Sequence, residues 1–339
     1  MGLTFSRDFP GHAPIYSGRV PTQPSEPGET SEAGPGGYDR AQAAHLQRQV
    51  AEGFGADAGR YDRARPTYPA DLVDRIIAAS PGRDVLDVGC GTGISARLFA
   101  AAGCRVLGVD PDPRMAGLAR QGGIETEVAK FEDWDPAGRT FDAVVAAQAW
   151  HWVDPVAGAA KAAAVLRPGG RLAVFWNAFD PPEDLREAFA GVFRRILPES
   201  PSGGFWDRPA IDAYRAGCAK VADVIRQAGT FGEPEEWLSY WERPYTRDEW
   251  LDLVPTTGGF TRHPGAIQAG LLDGLGAAVD AAGGTFTMSY TTIAATAARL
   301  AGQDPSARAA SRSREARSLS AVVARARGKR VSSVSRVQS

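Results

Sequence analysis

The 339 residues are 43% apolar and 23% charged, which fits one large or two average globular domains and excludes a fibrous or wholly disordered chain. No stretch reaches the roughly 18 uncharged apolar residues of a membrane span and the opening lacks an export pattern, while three cysteines without CxxC spacing (Cys90, Cys104, Cys218) offer neither a disulfide framework nor a zinc site, so a cytoplasmic chain with reduced thiols and no metal is expected. The net charge of −2 hides eight arginines and one lysine against two acids from Gln303 onward, leaving an acidic body that presents no duplex-binding face and makes a nucleic-acid partner unexpected.

Residues 1–40 hold six prolines and seven glycines with almost no apolar periodicity. Such a segment buries too little surface to offset the entropy of ordering, and residues 1–48 are expected to be a disordered leader. From 49 to 300, short β-branched runs alternate with helical patterns, which predicts an α/β domain built on a parallel sheet covered on both faces. Its predicted strands are Asp84–Val88, Arg105–Val109, Glu125–Ala129, Phe141–Ala146 and Arg171–Trp176. Helices are predicted at Ile94–Ala102, Pro113–Arg120 and Pro155–Leu166, the last followed by an Arg-Pro-Gly-Gly turn at 167–170. These units make a core over 82–178. Helical spacing at Leu185–Leu197 and Ile211–Ala228 predicts an insertion over about 183–230, lying across one edge of the sheet. A strand at Glu236–Glu242, a helix at Gly265–Ala282 with Ile267, Leu271, Leu275 and Val279 on one face, and a strand at Thr285–Ala297 bring the strands to seven. The arginine- and serine-rich residues 301–339 are expected to be a disordered basic tail, a solvated appendage to the domain.

The chemistry is concentrated in Val85-Leu86-Asp87-Val88-Gly89-Cys90-Gly91-Thr92-Gly93. An apolar strand that runs into a glycine turn and then a helix lets backbone approach a ligand where a Cβ would intrude. Asp110, 23 residues after Asp87, ends the next strand, where a short carboxylate can accept hydrogen bonds from both hydroxyls of a ribose. Dinucleotide folds share this spacing, so an NAD-dependent oxidoreductase is one alternative. The glycines, however, read Gly89-x-Gly91-x-Gly93 where a dinucleotide fingerprint reads GxGxxG. An acid beside the turn would repel a pyrophosphate and suits the ammonium of an amino acid. S-adenosylmethionine carries that ammonium and a ribose, and no phosphate.

On these residues the chain resembles the class I S-adenosylmethionine-dependent methyltransferases from about Phe54 to Leu300. The resemblance implies a seven-stranded Rossmann-like methyltransferase sheet with helices on both faces and a helical insertion after strand five. It also implies S-adenosylmethionine as cofactor, with Asp87, Gly89 and Gly91 at its methionine part and Asp110 on its ribose. Phe131 and Glu132, in the Phe131-Glu132-Asp133 run, fall near the adenine, and Met115 pads the other face of that ring. Two further segments, Arg60-Tyr61-x-x-Ala64-Arg65-Pro66-x-Tyr68-Pro69 and Ala147-Gln148-Ala149-Trp150-His151-Trp152, are similar to the small-molecule branch that includes trans-aconitate methyltransferase-like proteins. That likeness implies a Tyr/Arg segment, with Tyr61, packed over the cofactor and an HW pair bordering the transfer site.

Each of these residues also has a plainer reading. The Tyr/Arg run could be rigid packing at a helix entrance, and Asp87 could cap its own turn. Gln148 is expected to face the methionine end, since its amide would need partners if buried. His151 is the candidate catalytic base, a neutral imidazole able to take a proton from a hydroxyl or amine; otherwise it is a structural histidine between Trp150 and Trp152. Tyr68, Trp152 and Asn177 are the candidate substrate contacts. Seven of the eight tryptophans follow strand four, and some are expected to line an apolar acceptor pocket beneath the insertion. The function expected is methyl transfer to a small-molecule acceptor, O-methylation before N- or C-methylation. A cofactor-binding module without catalysis is the alternative from another class.

Overall fold

The computed structural model describes residues 53, 55–198, 206, 209–257 and 260–302. The expected leader at 1–48 and all but the first two residues of the expected basic tail lie outside the described residues. The chain enters through a short 3-10 turn (Gly55–Asp57) and two helices, α1 (Ala58–Ala64) and α2 (Ala70–Ala78). There follow β1 (Asp84–Val88), α3 (Ile94–Ala101), β2 (Arg105–Asp110), α4 (Pro113–Gln121), β3 (Glu125–Val128) and β4 (Phe141–Ala147). A 3-10 turn (Trp150–Trp152) leads to α5 (Pro155–Val165) and β5 (Leu166–Asp180). The second half comprises α6 (Glu183–Ile196), α7 (Ala210–Ala228), β6 (Glu235–Thr246), α8 (Arg247–Leu253), α9 (Gly265–Ala281) and β7 (Thr285–Ala298). None of the described helices is long and apolar enough to cross a membrane.

The strands form one seven-stranded sheet in the order β3-β2-β1-β4-β5-β7-β6. Strands β1 to β5 pair in parallel, each reached through a crossover, and the near-continuous burial of the central strands β1 and β4 is what two covered faces require. The parallel order expected of the five strand–helix units holds, and β7, for which no direction was predicted, runs antiparallel to both β5 and β6. The register gives the reason: Thr285 opens β7 directly opposite Thr246, the last residue of β6. The excursion through α8 and α9 thus returns to the sheet end it left, and a strand starting there must run backward. As an edge strand, β6 alternates exposed and buried residues over much of its length.

Two expectations shift. The turn at 167–170 is absorbed into β5, where pairing with β4 slips between Phe141 and Ala143 before running evenly from Arg171. The two insertion helices divide between two apolar clusters. Cys218 and Ile225 of α7 join the sheet residues in one apolar cluster. Leu185 and Phe189 of α6 belong to a separate cluster with Trp250 of α8, Leu271 and Leu275 of α9 and the aromatic ends of β6 and β7. There Phe189 stacks on Trp250 at 5.3 Å and meets Trp206 edge-on at 5.4 Å. Trp206 and Trp250 are buried, so these tryptophans fill a core where a pocket lining was expected.

Helix α8 carries a capping box, Thr246 bonding the backbone of Glu249 and Glu249 reaching back to Thr246. This Thr-x-x-Glu signature was readable from sequence and ends β6 by offering its chain a helix start.

Candidate active site

Between β1 and β4 the strand order reverses direction from the first strand, which opens a crevice at the carboxyl ends of both. The glycine turn lies on one side and the β4 exit loop on the other. They approach so closely that a Cβ on Gly89 would stand 2.5 Å from Cβ of Ala149. Gly89 also holds φ +66° and Gly91 φ +56°, left-handed values that a side chain would strain. The turn is locked to the neighbouring strand, since Gly89 and Cys90 both donate to the carbonyl of Val109.

Asp110 closes β2 and is buried. Its Oδ2 accepts from the Gly91 N–H and its Oδ1 from the Asp112 N–H, both at 2.8 Å. Each oxygen keeps a further lone pair for a ligand hydroxyl. Burial raises its pKa to about 6. Asp87, fully buried on β1, receives the Ser95 hydroxyl on Oδ2 at 2.6 Å, which ties the strand to the first turn of α3. Its Oδ1 is buried without a hydrogen-bond partner, and burial first, then the charge of Asp110, raises its pKa to about 7. Capping and ligand binding are therefore compatible for this residue, one oxygen being used and one left over. Met115 of α4 lies 3.5 Å from where a Cβ on Gly91 would stand, directly against the turn.

Helix α1 covers this end from above. Gly55 seats on Asp112, whose carboxylate a Cβ there would overlap at 1.9 Å. Asp62 pairs with Arg97 of α3 and Arg60 with Asp252 of α8, each at 2.7 Å. The Arg65 guanidinium, just past α1, stands 4.9 Å over the Tyr61 ring. Its charge bears on Tyr68, on His151 beyond β4, on Tyr214 of α7 and on Tyr245 and Tyr290 of the last two strands. Burial holds the Tyr214 hydroxyl above its ordinary pKa while it bonds to the side chain of Gln148. Gln148 itself adopts φ +55°, a strained conformation for a non-glycine residue, and its amide reaches the Asn177 carbonyl at 3.4 Å. His151 opens one side to solvent yet is ringed by protein; this dehydration, then the Arg65 charge, lowers its pKa to about 4. Trp176 donates its indole N–H to His151 Nδ1 at 3.2 Å, and Trp152 packs on the imidazole with centroids 4.6 Å apart.

Residues 61–196 match a family described as a methyltransferase domain. That stretch of the chain is similar to methyltransferase domains. An uncharacterized methyltransferase of Mycobacterium tuberculosis is 40% identical over 136 residues, 40% of this chain and 56% of that protein. A ubiquinone biosynthesis O-methyltransferase of Methylocella silvestris is 31% identical over 166 residues, covering 42% and 65%. The trans-aconitate 2-methyltransferase of Mycobacterium ulcerans is 32% identical over 141 residues, covering 41% and 51%. The chain spans between half and two thirds of the length of these relatives.

Within residues 61–196, the predicted residues divide into two groups. Asp87, Gly89, Gly91, Asp110 and Met115 converge on the glycine turn. Tyr61, Gln148, His151, Trp152 and Tyr68 gather around Arg65, with the Tyr68 ring packed edge-on to Phe175 at 5.0 Å. Three others are committed elsewhere. Phe131 is a core residue beside Trp134 and Trp150. Glu132 accepts from the Asp154 N–H at 2.8 Å, bracing the start of α5. Asn177, 1% exposed, donates to the Thr67 carbonyl at 3.0 Å and accepts from the Thr292 hydroxyl at 2.6 Å. It is a strut that holds the Arg65–Tyr68 segment against the sheet, and the expected substrate contact is corrected accordingly. Tyr214 was missed as a site residue because a tyrosine on the apolar stripe of a helix reads as packing. Trp176 was missed because its strand is buried on both faces.

Proposed function

We propose that this chain transfers a methyl group from S-adenosylmethionine to an oxygen of a small-molecule acceptor in the cytoplasm. The observation that carries the reading is the pair of buried carboxylates on one glycine turn, Asp87 with an unpartnered oxygen and Asp110 with lone pairs to spare. Such a pair repels phosphate and suits a cationic, phosphate-free nucleoside, so the residues present fit this cofactor. Bound there, S-adenosylmethionine supplies an electrophilic methyl on a sulfonium. Asp110 holds the ribose hydroxyls, Asp87 faces the positive charge of the amino-acid end, and the glycines admit the ligand backbone-close. Helix α1, held to α3 through Asp62 and to α8 through Arg60, keeps water from the transfer site. The remaining requirement is alignment of the acceptor in line with the departing sulfur, a positioning task for the groups around Arg65. Two of the relatives bear the names of small-molecule methyltransferases, which supports the choice of acceptor.

Calorimetry on the full chain tests this directly. S-adenosylmethionine and S-adenosylhomocysteine should bind and NAD should not. Asp110→Ala should weaken binding about 10- to 100-fold, the worth of hydrogen bonds to a charged group. NAD binding, or unchanged affinity in the variant, would remove the ribose contact and the proposal with it.

A further inference from the structure

We infer that Trp241, Thr292 and Asn177 are positioning residues for the transfer, a one-way chain of hydrogen bonds through which β6 and β7 hold the Arg65–Tyr68 segment over the crevice. This rests on the methyltransferase reading and extends it to residues outside the glycine turn. The Trp241 indole donates to the Thr292 hydroxyl at 2.9 Å. That hydroxyl donates to Asn177 Oδ1 at 2.6 Å, and Asn177 Nδ2 donates to the Thr67 carbonyl at 3.0 Å. An indole N–H can only donate and a carbonyl can only accept. With the two ends fixed in this way, each proton between them has one place. Turning the Asn177 amide over would set its oxygen against the Thr67 carbonyl, two acceptors facing each other. Thr292 has a single proton, and it goes to Asn177 because the other side of the hydroxyl already receives the indole.

The sheet register builds this chain. Thr292 lies directly opposite Asn177 across the β5–β7 pair, so their side chains share a face. Trp241 pairs with Tyr290 and is one diagonal step from Thr292, within reach of a long aromatic side chain. It stacks on the Tyr290 ring with centroids 4.3 Å apart, which keeps the indole from turning to another partner. Thr292 and Asn177 are buried, so a lost link leaves a polar group unpaired away from water. Residues on the same face of β6 hold the segment on either side of Thr67. Ser239 donates to Asp71 in the first turn of α2 at 2.9 Å, and Arg243 approaches the carbonyls of Ala64 and Arg65 at 3.5 Å.

The chain positions two borders of the crevice. Tyr68 follows Thr67 and is buried against Phe175. Burial first, then Tyr61, hold its hydroxyl above the ordinary pKa, and Asp87 of the glycine turn acts in the same direction. The segment thus extends from the last strands to the cofactor turn. At the β4 exit, the Gln148 amide reaches the backbone carbonyl of the same Asn177 at 3.4 Å. One residue of β5 therefore refers both borders to the sheet, its side chain to the entry segment and its carbonyl to the β4 exit. Methyl transfer in line with the departing sulfur tolerates little misalignment, and a displacement of about 1 Å can cost on the order of 100-fold in rate. Trp241 and Thr292 enter the reaction through Asn177 and Thr67, by fixing where that border stands.

Hydrogen exchange read by mass spectrometry on the full chain is the first test. Thr292→Val keeps the shape and removes the hydroxyl, and Thr292→Ser keeps the hydroxyl. Thr292→Val should speed exchange about 10-fold over residues 58–71, the worth of one buried hydrogen bond, with β7 itself within about twofold of the parent. Thr292→Ser should match the parent throughout. Asn177→Asp at pH 8 keeps the bond from Thr292 and has no amide proton for Thr67, so it should loosen the same residues. Exchange that rises equally in β7, or equally in Thr292→Ser, would reduce the chain to packing and overturn the inference. The second test is label transfer from methyl-labelled S-adenosylmethionine to a bacterial metabolite extract at saturating cofactor. Thr292→Val should lose about 10- to 100-fold in transfer while its Kd for S-adenosylmethionine stays within about threefold of the parent. Trp241→Phe, which leaves the Thr292 proton on Asn177, should lose less. Thr292→Val combined with Asn177→Asp should be within about twofold of the slower single variant, because a broken chain is not broken again. Losses that multiply, or a fall in cofactor affinity as large as the fall in transfer, would overturn the positioning role. A parent chain that neither binds S-adenosylmethionine nor transfers label would strike the methyl-transfer reading and this role with it; the exchange result would stand apart and still decide whether the chain anchors the segment.

Discussion

The two ends of the crevice are built in opposite ways. At the glycine turn, the binding groups come from one continuous stretch, Asp87 to Met115, and are locked by short backbone bonds such as those from Gly91 and Asp112 to Asp110. At the Arg65 end they come from the segment before the sheet, the β4 exit, β5, α7 and the β6–β7 pair, and they pack into different clusters: Trp176 and Tyr214 with the main sheet core, Tyr68 with Phe175, and Tyr245 and Tyr290 with the separate aromatic cluster. A local motif can specify the first kind of site by itself. The second kind exists only after distant segments have docked, so it is the part of the molecule where acceptor choice can change without disturbing the cofactor. If the division is physical, damage to one end should leave the other working.

The largest effect expected is on the aromatic side. Phe189 is fully buried and stacked on Trp250, so Phe189→Ala should cost about 3–5 kcal/mol of stability through lost burial and a residual cavity. Urea unfolding reads the loss. Affinity for S-adenosylmethionine in the folded fraction should stay within about twofold of the parent, a difference of only about 0.4 kcal/mol. A collapse of cofactor affinity would show that the two ends are one cooperative unit.

The converse cut is Gly89→Ala. The left-handed backbone costs about 1–2 kcal/mol, and the new Cβ meets Ala149 at 2.5 Å. Cofactor binding should fall steeply because the turn must shift away from β4. Gly89→Ala combined with Ala149→Gly removes the clash and leaves the backbone strain, so it should recover part of both losses. No recovery would mean that the closeness of the two loops is not what constrains the turn.

The same contrast explains what was legible in the sequence. The strand–turn–helix around Asp87 and the acid ending β2 could be read because each depends on neighbours a few residues away. The limits of β1, β2 and β4 followed from largely apolar runs, and β5 came out longer than predicted because its last residues are held by β7, over a hundred positions distant. The reversal of β7 was hidden for the same reason: period-two alternation at Thr285–Tyr290 announces a strand and says nothing of its direction. Among site residues, Asn177 and Glu132 misled because a polar side chain at a strand end or loop reads equally as a ligand contact or a strut. Only the partner decides, and the partners, Thr292 and Asp154, lie far along the chain.

The smallest effect expected is a pH dependence at the glycine turn, and it sharpens the contrast by tying cofactor binding to local instability. Asp87 has its carboxyl pKa raised from 3.8 to about 7 in the folded chain. The folded state thus binds this proton more tightly than the unfolded state. The stability it contributes is complete below about 3.8 and is lost as the pH rises through about 7. Between pH 6 and pH 8 that loss amounts to about 1 kcal/mol. His151 has the opposite sign, since its lowered pKa makes the unfolded chain the better proton binder as the pH falls. The wild-type profile alone therefore mixes the two, and the informative quantity is the difference from Asp87→Asn. Without cofactor, the variant should match the parent at pH 6 and exceed it in thermal stability at pH 8, because a neutral amide avoids the buried charge. With S-adenosylmethionine present the order should reverse, since the carboxylate that is costly in the empty turn is the one that faces the ligand's positive charge. A variant that is no more stable than the parent at pH 8 would show that the unpartnered oxygen of Asp87 is not dehydrated. Greater stability without any loss of cofactor affinity would show that this oxygen does not meet the ligand.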